Sequence, residues 1–306
     1  MKPEVIIGTR GSRLAVIQAN IVASELQYAH PSIKIGVRKI VTEGDRNRNI
    51  NIDEAGNTGI FVKALEEALA DGRIDIAVHS LKDMPTLLPV NMCLVAVPKR
   101  IDPRDALVAI AVLSGLNPGS LIGTGSLRRT AQLKNLRSDL QVINIRGNVD
   151  SRLRKVSSGE LQGVIVAAAA LIRLGWDDKI TEYLPLESFL PAVGQGALAI
   201  EARKGDTAIE EYVTVLNHLP TRQAVNAERA FLHTVEGGCR APVAALATVD
   251  GQLLKIRAMV SDKAGTKIII KSLEGDARQA ESQGAKLAQM MLDAGAASLI
   301  NEIRCP

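Results

Sequence analysis

A strand-to-helix turn that occurs twice constrains this chain more than any other feature. Val5-Ile6-Ile7 runs into Gly8-Thr9-Arg10-Gly11-Ser12, after which Leu14, Ile17 and Ile21 recur at helical spacing. Leu121-Ile122-Gly123-Thr124-Gly125-Ser126 repeats the arrangement, again with Gly, Thr and Ser where an apolar strand gives way to a helix. A short strand feeding at once into a helix is the unit of an α/β sheet, so two widely separated copies predict two similar lobes.

The intervening segments keep the same rhythm. Alternation through Ile33, Ile35 and Val37 predicts a second strand, and Phe61, Ala64, Leu65, Ala68 and Leu69 share a helical face closed by Asp71-Gly72. Ile74 to Val78 reads as a short strand ending at His79-Ser80-Leu81-Lys82-Asp83. Past the proline-bounded segment Pro98 to Pro103, which suits a hinge, the second turn is followed by strands at Gln141 to Ile145 and Gly163 to Ala167. The glycine-rich crossing Pro191 to Gly196 leads to a strand, Ala197 to Glu201, expected to return to the first lobe. A third unit holds a helix from near Thr221 to Val235, strands at Leu253 to Val260 and Lys267 to Ser272, and a helix from about Asp276 to Asp293. The expected fold class is α/β: a first lobe of residues 1–99 and 195–218, a second of 100–194, a hinge between them, and a small α+β C-terminal domain of 219–306.

Composition removes several function classes. The longest apolar run, Val164 to Ile172, falls far short of the ~18 residues of a membrane helix, and the opening MKPEVIIGTR has no signal-peptide core, so a cytoplasmic location and no membrane partner are expected. Aromatic residues are 2% of the chain and the net charge is only +4, which disfavours nucleic acid as a partner. Cys93, Cys239 and Cys305 are too widely spaced to signal a disulfide framework or a zinc site, so no metal is expected. Nothing demands more than a monomer.

Arginine lifts the two turns above ordinary capping. Arg10 and Arg13 accompany the first, Arg128 and Arg129 the second, and Arg146 and Arg152 lie nearby in sequence. Helix N-termini favour anions, and guanidinium forks match carboxylate or phosphate geometry. The plain alternative is a pair of capped helices with solvated arginines. Asp83 stands where a strand ends, the edge at which open α/β sheets bind ligands, and is open to acid, base, counter-ion or ordinary ion-pair roles. His79 suits a structural hydrogen bond, and Lys63 either meets an anion or is solvated. Cys239, between Gly238 and Arg240, sits in a turn that favours thiolate.

These stretches, in order, closely resemble the hydroxymethylbilane synthase (porphobilinogen deaminase) family. The resemblance is carried by Thr9 to Ala15, Phe61-Val62-Lys63, Asp75 to Pro85, Asp102 to Ala106, Ser126-Leu127-Arg128-Arg129, Arg146-Gly147-Asn148, Leu190 to Ala197 and Glu236-Gly237-Gly238-Cys239. It implies two lobes like those of periplasmic binding proteins and a third domain bearing a cofactor. It implies an enzyme that deaminates porphobilinogen, polymerises four molecules onto a cysteine-bound dipyrromethane primer, and releases linear hydroxymethylbilane by hydrolysis.

By the same resemblance Cys239 holds the dipyrromethane through a thioether, and Lys82, Asp83, Thr124, Ser126, Arg128, Arg129, Arg146 and Gly147 cradle it. Arg10, Ser12, Lys63, Arg146, Arg152, Arg173 and Gln195 bind substrate, and Asp83 is catalytic. Loss of ammonia leaves a cationic azafulvene, which a nearby carboxylate stabilises. Two departures stand out: Asn57-Thr58-Gly59 replaces the usual Gly-Lys-Gly, and Gly125 stands where Ser is usual. The alternative function is a non-catalytic two-lobe binder of a small polycarboxylate.

Overall fold

Residues 4–41, 58–235 and 242–304 are described by the computed structural model. The first stretch of chain forms β1 (Glu4–Arg10), α1 (Arg13–Ala29), β2 (Lys34–Ile40), α2 (Thr58–Ala70), β3 (Ile76–Ser80) and β4 (Met92–Ala96). The second forms β5 (Asp105–Ala109), β6 (Leu121–Gly123), α3 (Leu127–Leu136), β7 (Gln141–Ile143), α4 (Val149–Ser157), β8 (Gly163–Ala167), α5 (Ala168–Leu174) and β9 (Glu182–Tyr183). Then come β10 (Leu198–Arg203), α6 (Thr207–Val213), α7 (Leu219–Thr234), β11 (Val243–Asp250), β12 (Leu253–Ser261), β13 (Ile268–Asp276), α8 (Ala280–Met291) and α9 (Ala297–Arg304). Among the described residues no helix is long and apolar enough to cross a membrane.

The repeated turns behave alike. Ser12 and Ser126 are both N-caps, their hydroxyls accepting from the Ala15 and Arg129 N–H groups at 3.3 and 3.4 Å. Each cap satisfies one of the orphan donors of a first helical turn.

Two compact units result, residues 1–100 with 197–222 and residues 101–196 with 223–306. Their first boundary falls inside the proline-bounded segment. In the first unit a five-stranded sheet runs β2-β1-β3-β10-β4, with β1 parallel to β2 and β3, and β10 antiparallel to β3 and β4. The strand expected to return after the glycine-rich crossing is therefore β10, and it takes a central place. Its residues Leu198 to Ala202 are all buried, which is why Leu198-Ala199-Ile200 are apolar without alternation, and the charged Glu201 is buried with them. One face of this sheet packs Val5, Ile7, Ile76 and Ile200 against Val22 and Leu26 of α1, and the other packs Ala77 against Leu65 and Leu69 of α2. Each such fully buried aliphatic side chain contributes about 1.5–3 kcal/mol relative to exposure.

The second unit holds a sheet of matching form, β7-β6-β8-β5-β9, with β6 parallel to β7 and β8 and with β5 antiparallel to β8. Phe189, Leu107, Ile122, Leu133 and Ile165 form its core on one side. The same unit includes the antiparallel sheet β11-β12-β13, on which Phe231 of α7 and Leu287 and Met291 of α8 pack. Leu190 packs against Ala244 and Met259, and the β12–β13 turn lies so close to α3 that a Cβ on Gly265, at φ +74°, would collide with the Ala131 carbonyl.

Three differences from expectation have local causes. β11 went unforeseen because its first residues, Val243-Ala244-Ala245, are all buried, so they show no alternation, and two of the three are alanine, which has little strand preference. β13 extends to Asp276, whose side chain caps the next turn through the Arg278 N–H, so α8 begins only at Ala280. The strand expected to reach Ile145 stops at Ile143.

Candidate functional site

In the first unit, adjacent parallel strands β1 and β3 deliver two groups of candidates to one sheet edge. At the end of β1, Thr9 Oγ1 donates to the Ala15 carbonyl at 2.9 Å, so the buried Thr9 and the capping Ser12 jointly fasten the first turn of α1. Arg10 is half-buried and Arg13 exposed. At the end of β3, Gln18 Nε2 donates to Ser80 Oγ at 2.9 Å, and the Leu81 N–H donates to the Ala197 carbonyl at 3.1 Å. These bonds pin a single 3-10 turn, Leu81–Asp83, in which Leu81 is buried, Lys82 half-buried and Asp83 exposed. Lys63 is exposed on α2. His79 is buried and its Nε2 pairs with Glu201 Oε2 at 2.9 Å, the structural role its sequence context suggested.

In the second unit the repeated turn carries a buried ionic cluster. Asp105, the first residue of β5, is fully buried and accepts from Arg128 Nη1 at 2.7 Å and from Arg129 Nε and Nη2 at 2.9 and 2.7 Å. Gln195 Nε2 adds a donor at 3.0 Å to the same carboxylate and donates to the Pro103 carbonyl at 2.8 Å. Burial alone would raise the Asp105 pKa, but the Arg128 and Arg129 guanidiniums hold it well below the usual carboxylate range. Arg128 also donates to the Leu190 carbonyl and Arg129 to that of Ile165. Two guanidiniums thus share one carboxylate, a surplus of positive charge.

Around the cluster, the Ser126 N–H donates to Oγ1 of the buried Thr124 at 3.2 Å, shaping the turn into α3. Arg173 Nη2 donates to the Gly196 carbonyl at 2.9 Å, and burial pulls its guanidinium down to about 10, still charged at neutral pH. Arg146 and Gly147 are exposed just before α4, whose N-cap Asn148 accepts from the Ser151 N–H at 2.9 Å. Arg152 Nε donates to the Gly147 carbonyl at 2.9 Å. The departure at Gly125 has a structural reason: a Cβ there would lie 2.7 Å from the Ile145 carbonyl oxygen. Cys239 and residues 47–57 lie outside the described residues, as does the side chain of Thr58.

Three groups were not singled out from sequence as site residues. Asp105 sits inside a quoted stretch, and its signal was a charged residue opening an apolar strand. The signal of Glu201 was a charged residue in the interior of a mostly apolar strand, β10. Glu228, fully buried on α7, accepts from the Gly194 N–H at 2.7 Å and the Ala247 N–H at 2.8 Å, and no local pattern marks it.

With this geometry in view, family-wide sequence profiles match twice: "Porphobilinogen deaminase, dipyromethane cofactor binding domain" over residues 5–211 and "Porphobilinogen deaminase, C-terminal domain" over residues 222–293. The chain belongs to the porphobilinogen deaminase family. It is 44% identical over 298 residues to the porphobilinogen deaminase of Geobacter sulfurreducens, covering 97% of this chain and 94% of that one. It is 43% identical over 299 residues to that of Syntrophus aciditrophicus, covering 97% and 98%. A crystal structure of the Methionine Binding Protein, MetQ, is similar at TM-score 0.45 and 11% identity, covering 74% of this chain and 93% of that one.

The family's cofactor is a dipyrromethane, and the donor set suits it. A dipyrromethane presents several carboxylates, and the second unit offers a surplus guanidinium charge beside a capped helix start.

Proposed function

We infer that this porphobilinogen deaminase family member is a hydroxymethylbilane synthase, a transferase of tetrapyrrole biosynthesis that joins porphobilinogen units with loss of ammonia. The match to porphobilinogen deaminases along 97% of the chain carries this reading, and it disfavours a purely binding role.

Cys239 would anchor the dipyrromethane, held by Lys82, Asp83, Thr124, Ser126, Arg128, Arg129, Arg146 and Gly147. When bound, that group supplies the pyrrole carbon to which the first substrate is joined. Asp83 takes the catalytic role: its exposed carboxylate, on a turn pinned by Leu81 and Ser80, offsets the positive charge that develops as the amine departs, and holds the proton exchanged there. Arg10, Ser12, Lys63, Arg146, Arg152, Arg173 and Gln195 receive substrate carboxylates. For Ser126, Ser12 and Gln195 much of the work is positional, since their polar atoms already serve a cap or Asp105. Each added pyrrole brings two more carboxylates, so the arginines offset a growing negative charge. A three-part division at 99/100, 194/195 and 218/219, a monomeric state and a cytoplasmic location complete the proposal.

The test is intact mass followed by peptide mapping. The expected result is extra mass equal to one dipyrromethane, confined to the peptide containing Cys239, and loss of turnover in Cys239→Ala. Fully active protein with unmodified Cys239 would overturn the reading.

A further inference from the structure

The ionic cluster around Asp105 divides the work of its two arginines unequally. Arg129 spends all three of its nitrogens inside the unit, Nε and Nη2 on Asp105 Oδ1 and Nη1 on the Ile165 carbonyl. Arg128 uses only Nη1, which reaches both Asp105 Oδ2 and the Leu190 carbonyl. Its Nε and Nη2 make no hydrogen bond among the described residues, and those two nitrogens form a guanidinium edge that matches a carboxylate bidentately.

A cluster of two cations and one anion is a poor device for stability alone. Burying charge costs several kcal/mol per ion even when paired, and a third, uncompensated charge adds to that cost. Asp105 and Arg129 are the charged groups that act on Arg128, so within the described residues the second positive charge has no carboxylate of its own. Gln195 and the start of β5 hold Asp105 in place from two further sides.

We propose that Asp105 is the positioning residue of carboxylate capture: it holds Arg129 inward and Arg128 by one nitrogen, leaving the Nε–Nη2 edge of Arg128 to meet a pyrrole carboxylate. Asp105 itself touches no ligand. It sets the direction of the fork and neutralises one of the two charges, so that the pair presents a single net positive charge. This inference rests on the hydroxymethylbilane synthase reading.

The experiment follows loading of full-length protein with its dipyrromethane. Asp105→Asn keeps the shape and removes the charge, whereas Asp105→Ala leaves a space the size of a small carboxylate. Protein depleted of the group is incubated with porphobilinogen, and intact mass reports the loaded fraction over time beside the thermal unfolding midpoint. The expected result is loading slowed at least tenfold in folded Asp105→Asn, with formate, but not the neutral formamide, restoring loading in Asp105→Ala. Should Asp105→Asn fail to fold, Asp105→Glu takes its place, and slowed loading at an unchanged midpoint supports the proposal. Loading at the wild-type rate in either folded variant, or no response of Asp105→Ala to formate, would overturn it. Wild-type protein that never gains the mass would sink the functional reading itself, an outcome distinct from variants that load normally.

Discussion

Replacing Glu228 by Gln should destabilise the unit that contains β11–β13 while leaving the chemistry-bearing side chains in place. The Glu228 carboxylate is fully buried, and its two oxygens accept separately from the Gly194 and Ala247 N–H groups at 2.7 and 2.8 Å. Gln keeps one acceptor but turns an NH₂ group toward the other N–H, so donor faces donor. The lost charge-assisted bonds are worth about 1.5–3 kcal/mol each, and an unsatisfied buried donor costs about 1–3 kcal/mol. Removing a buried charge gives part of that back. The net expectation is a loss of about 3 kcal/mol, which for a cooperative unit of roughly 150–250 residues lowers the unfolding midpoint by about 6–12 °C. Thermal and urea unfolding followed by circular dichroism measure it. A midpoint within about 2 °C of wild type would refute the reasoning, because a loss that small is below one ordinary hydrogen bond at this size.

Three further outcomes are expected. Asp83→Asn should lower kcat by about 10²–10³ with a much smaller change in KM, read by single-turnover ammonia release from loaded enzyme; a fall of less than about fivefold removes Asp83 as the catalytic carboxylate. Arg146→Leu, at an exposed site, should shorten the ladder of chain intermediates seen by mass spectrometry after a limited substrate pulse while the unfolding midpoint stays put; an unchanged ladder counts against a carboxylate contact. Asp105 has a depressed folded-state pKa, so its stabilisation is fully present above the unfolded carboxylate value of about 4 and is lost as pH falls through the folded value. The stability gap between wild type and Asp105→Asn should therefore be flat above about pH 4 and narrow below it, and a gap that persists undiminished in acid contradicts that assignment.

Local chemistry was legible in the sequence. Ser12 and Ser126 announced themselves as caps because capping involves residues three apart, and β10 was readable from the contiguous apolar residues Ala197 to Ile200 that follow the glycine-rich crossing. The stretches that carry the family resemblance were legible for the same reason: each is a contiguous motif. Partner choice was not. Nothing near Arg128 and Arg129 says whether they are solvated or pair with Asp105, which lies 23 and 24 residues upstream. The His79–Glu201 pair spans 122 residues and the Gln195–Asp105 contact 90. Periodicity encodes which face of an element is buried, but not which charged group from another strand meets it there. Packing makes that choice, since a buried guanidinium must find its carboxylate or carbonyl among whatever groups the sheets bring within hydrogen-bond reach.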